Sequence, residues 1–271
     1  MITTAWIALL ALAVLLASAA AAWHGTSVPR RQKRSRIRRA LFLPLNLNVV
    51  LVLALTACGG ATSEKTVRRL ADSPEAVKAR QESESWSRKS VAAWDTDTPL
   101  TLGLVVLEDV CVGGQAKEWF FVTGDDQYKV NCTMRVTAYF GADPHRTAET
   151  IDGILTAGDR AESPIPFAHD FQYARKVVDY YRGKTGDPQG TGTGEPRELF
   201  AAATIRLTWD QVRSGDTREL IEEPRPCASP GPTMRRCLHE PPSTSVADLR
   251  REYGMVFKLT LPTQQYFTVG K

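Results

Sequence analysis

The chain has 271 residues, with 34 Lys and Arg against 30 Asp and Glu. Seven of the basic residues and no acid precede Cys58, so residues 58–271 hold 27 basic against 30 acidic side chains, a net of −3. The basic balance belongs to the front of the chain, which excludes a nucleic-acid footprint on the remainder and, with it, a nucleic-acid partner. The 214 residues from Cys58 on suffice for one sizeable core, or one core plus a tether.

Residues 2–23 are apolar and uncharged, long enough to span a bilayer, but no basic residue precedes them. Residues 1–27 are therefore either an apolar N-terminal extension or the product of a start assigned too early, with Val28 as the true start. Arg30, Arg31, Lys33, Arg34, Arg36, Arg38 and Arg39 follow, and then a short apolar run over 41–55, weakened as a permanent span by Pro44, Asn46 and Asn48. Leu55-Thr56-Ala57-Cys58 and Gly59-Gly60 close it. Charge, apolar run and small residues stand in the order of a secretory signal.

This stretch resembles a bacterial lipoprotein precursor, with Leu55-Thr56-Ala57-Cys58 matching the lipobox. The resemblance covers about residues 28–60. It implies that residues 28–57 are a signal peptide and that Cys58 becomes the lipid-modified N-terminus. The domain would then be exported and held by that lipid at the outer face of the bacterial cell membrane. Arg38-Arg39 before Leu41-Phe42-Leu43 also resembles a twin-arginine signal. The competing reading is an uncleaved membrane helix with Cys58 buried in it, the precursor then being a hairpin of two spans.

With Cys58 set aside, Cys111, Cys132, Cys227 and Cys237 remain, and four cysteines allow three pairings. Proximity favours Cys111–Cys132 and Cys227–Cys237, and an oxidising compartment suits two disulfides. A metal site is the rival, but there is no CxxC pair and only His239 stands near a cysteine, so neither metal nor cofactor is expected.

Residues 58–98 are polar and charged. Ser73-Pro74-Glu75 reads as a helix start, with Glu84 and Arg88 spaced to pair. Val77, Trp86 and Val91 make too sparse a stripe for a core helix, so a partly helical tether is expected. Residues 99–271 read as a globular α+β domain: a mostly antiparallel sheet with one or two packed helices. Leu100, Leu102, Leu104 and Val106 alternate as one strand. Trp119-Phe120-Phe121-Val122 reads as a short buried run, and Gly124-Asp125-Asp126 as the turn of a hairpin. Val130, Cys132, Met134, Val136, Ala138 and Phe140 then alternate with Asn131, Thr133, Arg135, Thr137 and Tyr139, the pattern of a half-solvated strand. Asp143-Pro144 starts a helix that ends at Gly158, with Ala148, Ile151, Ile154 and Leu155 inward. Residues 171–182 fit a helix by spacing, but their Val and Tyr content favours a strand. Residues 183–195 read as a solvated loop, whose glycines fit neither the phosphate-loop nor the dinucleotide spacing. Residues 199–209 read as a strand and 224–242 as a Pro-rich loop closed by Cys227–Cys237. A helical turn or two is expected at 246–253, a strand over 255–261, and a return pairing over 265–269.

No catalytic motif emerges. His145, His169 and His239 are scattered; His169-Asp170 is the one pair able to orient a base, and Asp125-Asp126 reads as a turn. Ser nucleophile elbows are lacking. If the strands around residues 135, 206 and 258 share one sheet, their polar sides combine. Arg135, Tyr139, Arg206 and Lys258 then form a candidate binding face for an anionic wall polymer or an envelope protein. The bland alternative is the outer face of any half-solvated sheet. The function expected is that of a lipid-anchored, non-enzymatic envelope protein that binds or scaffolds. A wall-polymer hydrolase with an unfamiliar site and an uncleaved membrane hairpin are the alternatives.

Overall fold

Strand β2 (Tyr128–Ala142) carries the architecture, because its strict alternation gives the sheet two unlike faces. In the computed structural model, which describes residues 60–116, 124–171, 173–184, 194–201, 205–213, 218–227 and 233–271, β2 lies at the centre of a seven-stranded sheet. The other strands are β1 (Thr101–Gly113), β3 (Glu198–Ala201), β4 (Ile205–Trp209), β5 (Met234–Glu240), β6 (Met255–Thr260) and β7 (Gln264–Gly270). The order is β3-β4-β6-β2-β1-β5 with β7 also on β2, and every pairing is antiparallel. The α+β class is as the sequence predicts; β1 and β2 pair antiparallel along their length, and Gly124–Asp126, expected as a turn, is a short 3-10 helix. The run 119–122, expected as buried, lies outside the described residues.

Three strand assignments change. Residues 199–209 are not one strand but the hairpin β3–β4. The Pro-rich loop contains β5, an edge strand whose charged residues Arg235, Arg236 and Glu240 hide it from any search for apolar alternation. The return pairing at 265–269 is not a hairpin with β6. β6 pairs with Thr137 to Ala142 and β7 with Tyr128 to Met134, so the two lie end to end along one edge of β2. Between them the Leu261 N–H still donates to Val136 O at 3.1 Å. Pro262, which has no N–H to give a ladder, sits at the break.

The larger core lies on the face of Met134, Val136, Ala138 and Phe140. Helix α3 (Thr147–Gly158) buries Ala148, Ile151, Ile154 and Leu155 there, as predicted. Residues 171–182 form a helix, not a strand: α4 (Ala174–Tyr181) buries Ala174, Val177, Val178 and Tyr181. That spacing is one helical stripe, and packing overrides the β preference of Val and Tyr. The described residues of the 183–195 loop are exposed at Gly183, Lys184 and Gly194, as the sequence predicts, and the loop turns inward only at its last residue. Glu195 is 6% exposed, and its carboxylate accepts from the Tyr181 hydroxyl at 3.0 Å and from the Val212 and Arg213 N–H groups at 2.7 and 2.8 Å.

From residue 61 on, the expected tether is instead part of the folded unit. Ser63 caps α1 (Glu64–Ala71), and Ser73 caps α2 (Pro74–Asp97) with Pro74 in the first turn. The sheet-facing stripe of α2 is Ala76, Ser83, Ser87, Val91 and Trp94, all buried. Trp94 meets Phe167 edge to face at 6.0 Å between centroids. Arg80, on the same stripe, reaches a fully buried carboxylate. Its Nε lies 2.7 Å from Asp109 Oδ2 while its N–H is directed at the Tyr266 oxygen, 3.2 Å away. The Tyr266 hydroxyl donates in turn to Asp109 Oδ1 at 2.6 Å, and burial beside that carboxylate raises its pKa. Among the described residues no helix is long and apolar enough to cross a membrane.

A bulge at Gly103 splits the predicted run in β1. Leu102 faces Phe140 and Leu104 faces Tyr139, so Leu100 and Leu102 enter the large core while Leu104 and Val106 turn to the other face. There they meet Val246 and Leu249 of α5 (Val246–Tyr253). A Cβ on Gly103 would fall 2.0 Å from Leu249, so only glycine lets this helix approach.

Candidate functional site

The second face of the sheet gathers the polar sides of three strands. Tyr139 stands opposite Lys258 on β6, Thr137 opposite Thr260, and Arg135 opposite Glu108 on β1. On β4, Thr208 pairs with Lys258 and Arg206 with Thr260. The strands share one sheet and one facing, as their alternation predicts.

Over this surface lies a groove of about 720 Å³. Its floor includes Arg135, Thr137, Tyr139, Lys258 and Thr260, with Glu108 at one side. Pro224 and Arg225 form a wall. That wall is a strap over residues 218–227, held by polar contacts rather than by regular structure. Buried Asp210 is the main post. Its carboxylate accepts from Arg250 at 2.8 and 2.9 Å, from the Ile221 N–H at 2.6 Å and from the Val256 N–H at 2.9 Å. Arg250 also donates to Ile221 O at 2.8 Å. Glu223 accepts from the first free N–H groups of α5, Val246 at 3.0 Å and Ala247 at 2.7 Å. The strap ends at Cys227, bonded to Cys237 on β5. Arg225 is thus fixed between two anchored residues.

The charges of this groove are poorly answered. Arg135 is 3.8 Å from Glu108, a loose and exposed pair. Among the described residues, no carboxylate is in ion-pair contact with Lys258 or Arg225. Glu223, the nearest acid along the strap, is engaged by the helix N-terminus. Burial first, and then the charges of Glu223 and Glu108, push the Tyr139 hydroxyl up to about 12, so it stays a donor at neutral pH. Guanidinium, ammonium and hydroxyl groups all present hydrogens, and among the described residues Glu108 is the one carboxylate lining the groove. Such a lining complements an anion rich in acceptors.

Of the sequence-predicted face, Arg135, Tyr139 and Lys258 line the groove. Arg206 does not; it lies one strand further out, 3.8 Å from Glu198 and over the Phe200 ring at 5.4 Å. Arg225 and Glu108 complete the site without a sequence signal of their own: one stands in a Pro-rich loop, the other is a single acid on a strand. Both disulfides, Cys111–Cys132 and Cys227–Cys237, are paired as proximity suggests, with Cα atoms 4.0 and 5.6 Å apart. Cys58 lies outside the described residues.

Two other clusters gather ligating or titratable side chains. Cys227, Cys237 and His239 bring ligand atoms within 4.8 Å of one another. A metal needs thiolates, however, and these two sulfurs are bonded to each other. His169, paired in sequence with Asp170, bonds other acids: Asp159 at 2.5 Å and Asp152 at 3.1 Å, one on each ring nitrogen. Its bond to Asp159, helped by Asp152, raises its pKa against the effect of burial. With both nitrogens held, it is a cross-link between α3 and the following loop rather than a free base.

No protein-family model, curated protein or solved structure matches the chain.

Proposed function

We propose that this chain is an exported envelope protein, anchored by lipid on Cys58, that binds an anionic envelope polymer without chemically altering it. The observation that carries the binding half is the groove: among the described residues Arg225 and Lys258 meet no carboxylate, Arg135 is loosely paired, and the polar side chains of the lining other than Glu108 all carry a donor. Proteins pair the charges that hold a fold, and this molecule does so at Asp109 and Asp210. Cations left open in a concave site are free for a ligand. The anchoring half is supported by the order of basic cluster, apolar run and Leu55-Thr56-Ala57-Cys58. Two disulfides suit the oxidising compartment that export implies.

The test fractionates cells expressing wild type and Cys58→Ala. Wild type sediments with membrane at the mass of a processed, acylated chain, while the variant is released or stays unprocessed. A variant that remains membrane-bound at wild-type size would establish the uncleaved span instead. Purified protein is then incubated with anionic wall polymer. Saturable, salt-sensitive binding without turnover is expected, whereas release of fragments would establish a hydrolase.

A further inference from the structure

The proposed binding site has a direction, and that direction selects the kind of polymer. Lys258 stands opposite Tyr139, four positions along β2 from Arg135. At ~3.3 Å per residue the two cations start roughly 13 Å apart along the strand. Arg206 extends the positive surface sideways. It pairs with Thr260, which pairs with Thr137, so a row crosses three strands at ~4.8 Å per step. Phe200 lies under the Arg206 guanidinium and holds its plane at the far end of the row. No single phosphate or carboxylate reaches all of these groups, but a chain bearing an anion at every repeat does.

The lining also discriminates among such chains. Among the described residues Tyr139 is the one aromatic residue lining the groove, and it is 3% exposed, so it offers no open ring face to a base. The exposed ring of Phe200, at the outer end of the row, has the Arg206 guanidinium over it. The forks of Arg135 and Arg225 fit phosphate and carboxylate alike, so the selection lies in the links: Arg135 and Lys258 are spaced along the strands while Arg206 is displaced across them, and a polyol chain bends to follow both directions where a stiff pyranose chain does not.

We infer that the ligand is a linear polyol phosphodiester lying across β2, β6 and β4, with Arg135, Arg225 and Lys258 gripping its inner phosphates and Arg206 forming an outer subsite. This rests on the anion-binding reading of the groove and adds length, direction and chemistry to it.

The experiment measures affinity of the detergent-solubilised full chain for synthetic glycerol-phosphate trimer and dodecamer, and for a polygalacturonate of matched charge number. Wild type, Lys258→Gln and Arg206→Gln are compared. The dodecamer is expected to bind more tightly than the trimer, and both more tightly than the polyuronate. Lys258→Gln weakens trimer and dodecamer alike by roughly tenfold, the loss of one charge-assisted hydrogen bond. Arg206→Gln weakens only the dodecamer, by roughly threefold, as befits an exposed contact. Equal dodecamer binding by wild type and Arg206→Gln overturns the outer subsite. Equal binding of polyuronate overturns the phosphodiester assignment. Indifference of both phosphate probes to Lys258→Gln overturns the groove itself, a separate result from either of these.

Discussion

The two faces of one sheet treat charge in opposite ways. On the helix-covered face, Asp109 is met by Arg80 and Tyr266, and Glu84 by Arg88 and Arg236. For Glu84, burial alone would raise the carboxyl, but the two arginines outweigh it and hold its pKa below the usual range. On the groove face, Lys258 and Arg225 meet no acid among the described residues. Both faces belong to the same strands, so the difference does not come from strand chemistry. It comes from what covers them. Where helices exclude water, an unanswered charge is too costly to keep; where water enters, it costs little and remains free for a ligand.

The strongest way to test this contrast is to remove a charge that is fully answered. Asp210→Ala leaves Arg250 and two backbone N–H groups without their acceptor beneath the strap. A loss of about 3–5 kcal/mol is expected in urea unfolding. The same variant should weaken polymer binding beyond what stability explains, because Arg225 hangs from this strap. Asp210→Asn, which keeps one acceptor, should lose less.

A smaller and pH-dependent effect is expected at His169. Its folded pKa is raised, so its contribution is complete below the unfolded value of about 6.5 and is lost as pH rises through the folded value. Its partner Asp159 has a lowered pKa, with the His169 bond as the main cause, so the contribution of that carboxylate fades only in acid. Urea midpoints of wild type should fall as pH climbs above about 6.5 relative to those of His169→Gln. Parallel curves for the two proteins would remove His169 as a charged cross-link.

The smallest effect on folding is expected where the charges are open. Arg135→Gln with Arg206→Gln should change stability by no more than about 0.5 kcal/mol, since both guanidiniums are more than half exposed. Association with anionic wall polymer should nevertheless weaken, and most at low salt. Stability loss comparable to that of Asp210→Ala would erase the distinction between answered and open charges.

What the sequence disclosed follows the same division. β2 was legible because its apolar and polar residues alternate without interruption, and α3 because Asp143-Pro144 and Gly158 bracket an aliphatic stripe. The three groove residues on β2 and β6 follow from that alternation alone. The start of α2 at Ser73-Pro74 was legible, but its packing was hidden because much of its buried stripe is built of Ala76, Ser83 and Ser87 with Arg80 among them. Small residues let a helix lie close to a sheet, yet they add nothing to a hydropathy pattern. Ser83 reaches Gln264 by hydrogen bond, a partner 181 residues away that local reading does not find. Arg225 was hidden for a related reason: its place is fixed by Asp210, Glu223 and Cys237, three contacts from distant parts of the chain.

One backbone contact at the front of the folded unit sets a scale for the whole molecule. The Thr62 N–H donates to Gly114 O at 2.9 Å, so the chain joins the sheet at the very end of β1. Only three residues separate Thr62 from Cys58, a reach of roughly 14 Å even when stretched. Glu108 and Leu104, which stand beside Arg135 and Tyr139, are five and nine residues up the strand from Gly113, or roughly 17–30 Å. For the lipid anchor proposed on Cys58, the link and the strand together set an upper bound of roughly 30–45 Å on the distance from that residue to the groove, which is the length a polymer must cover from the bilayer surface to be bound there.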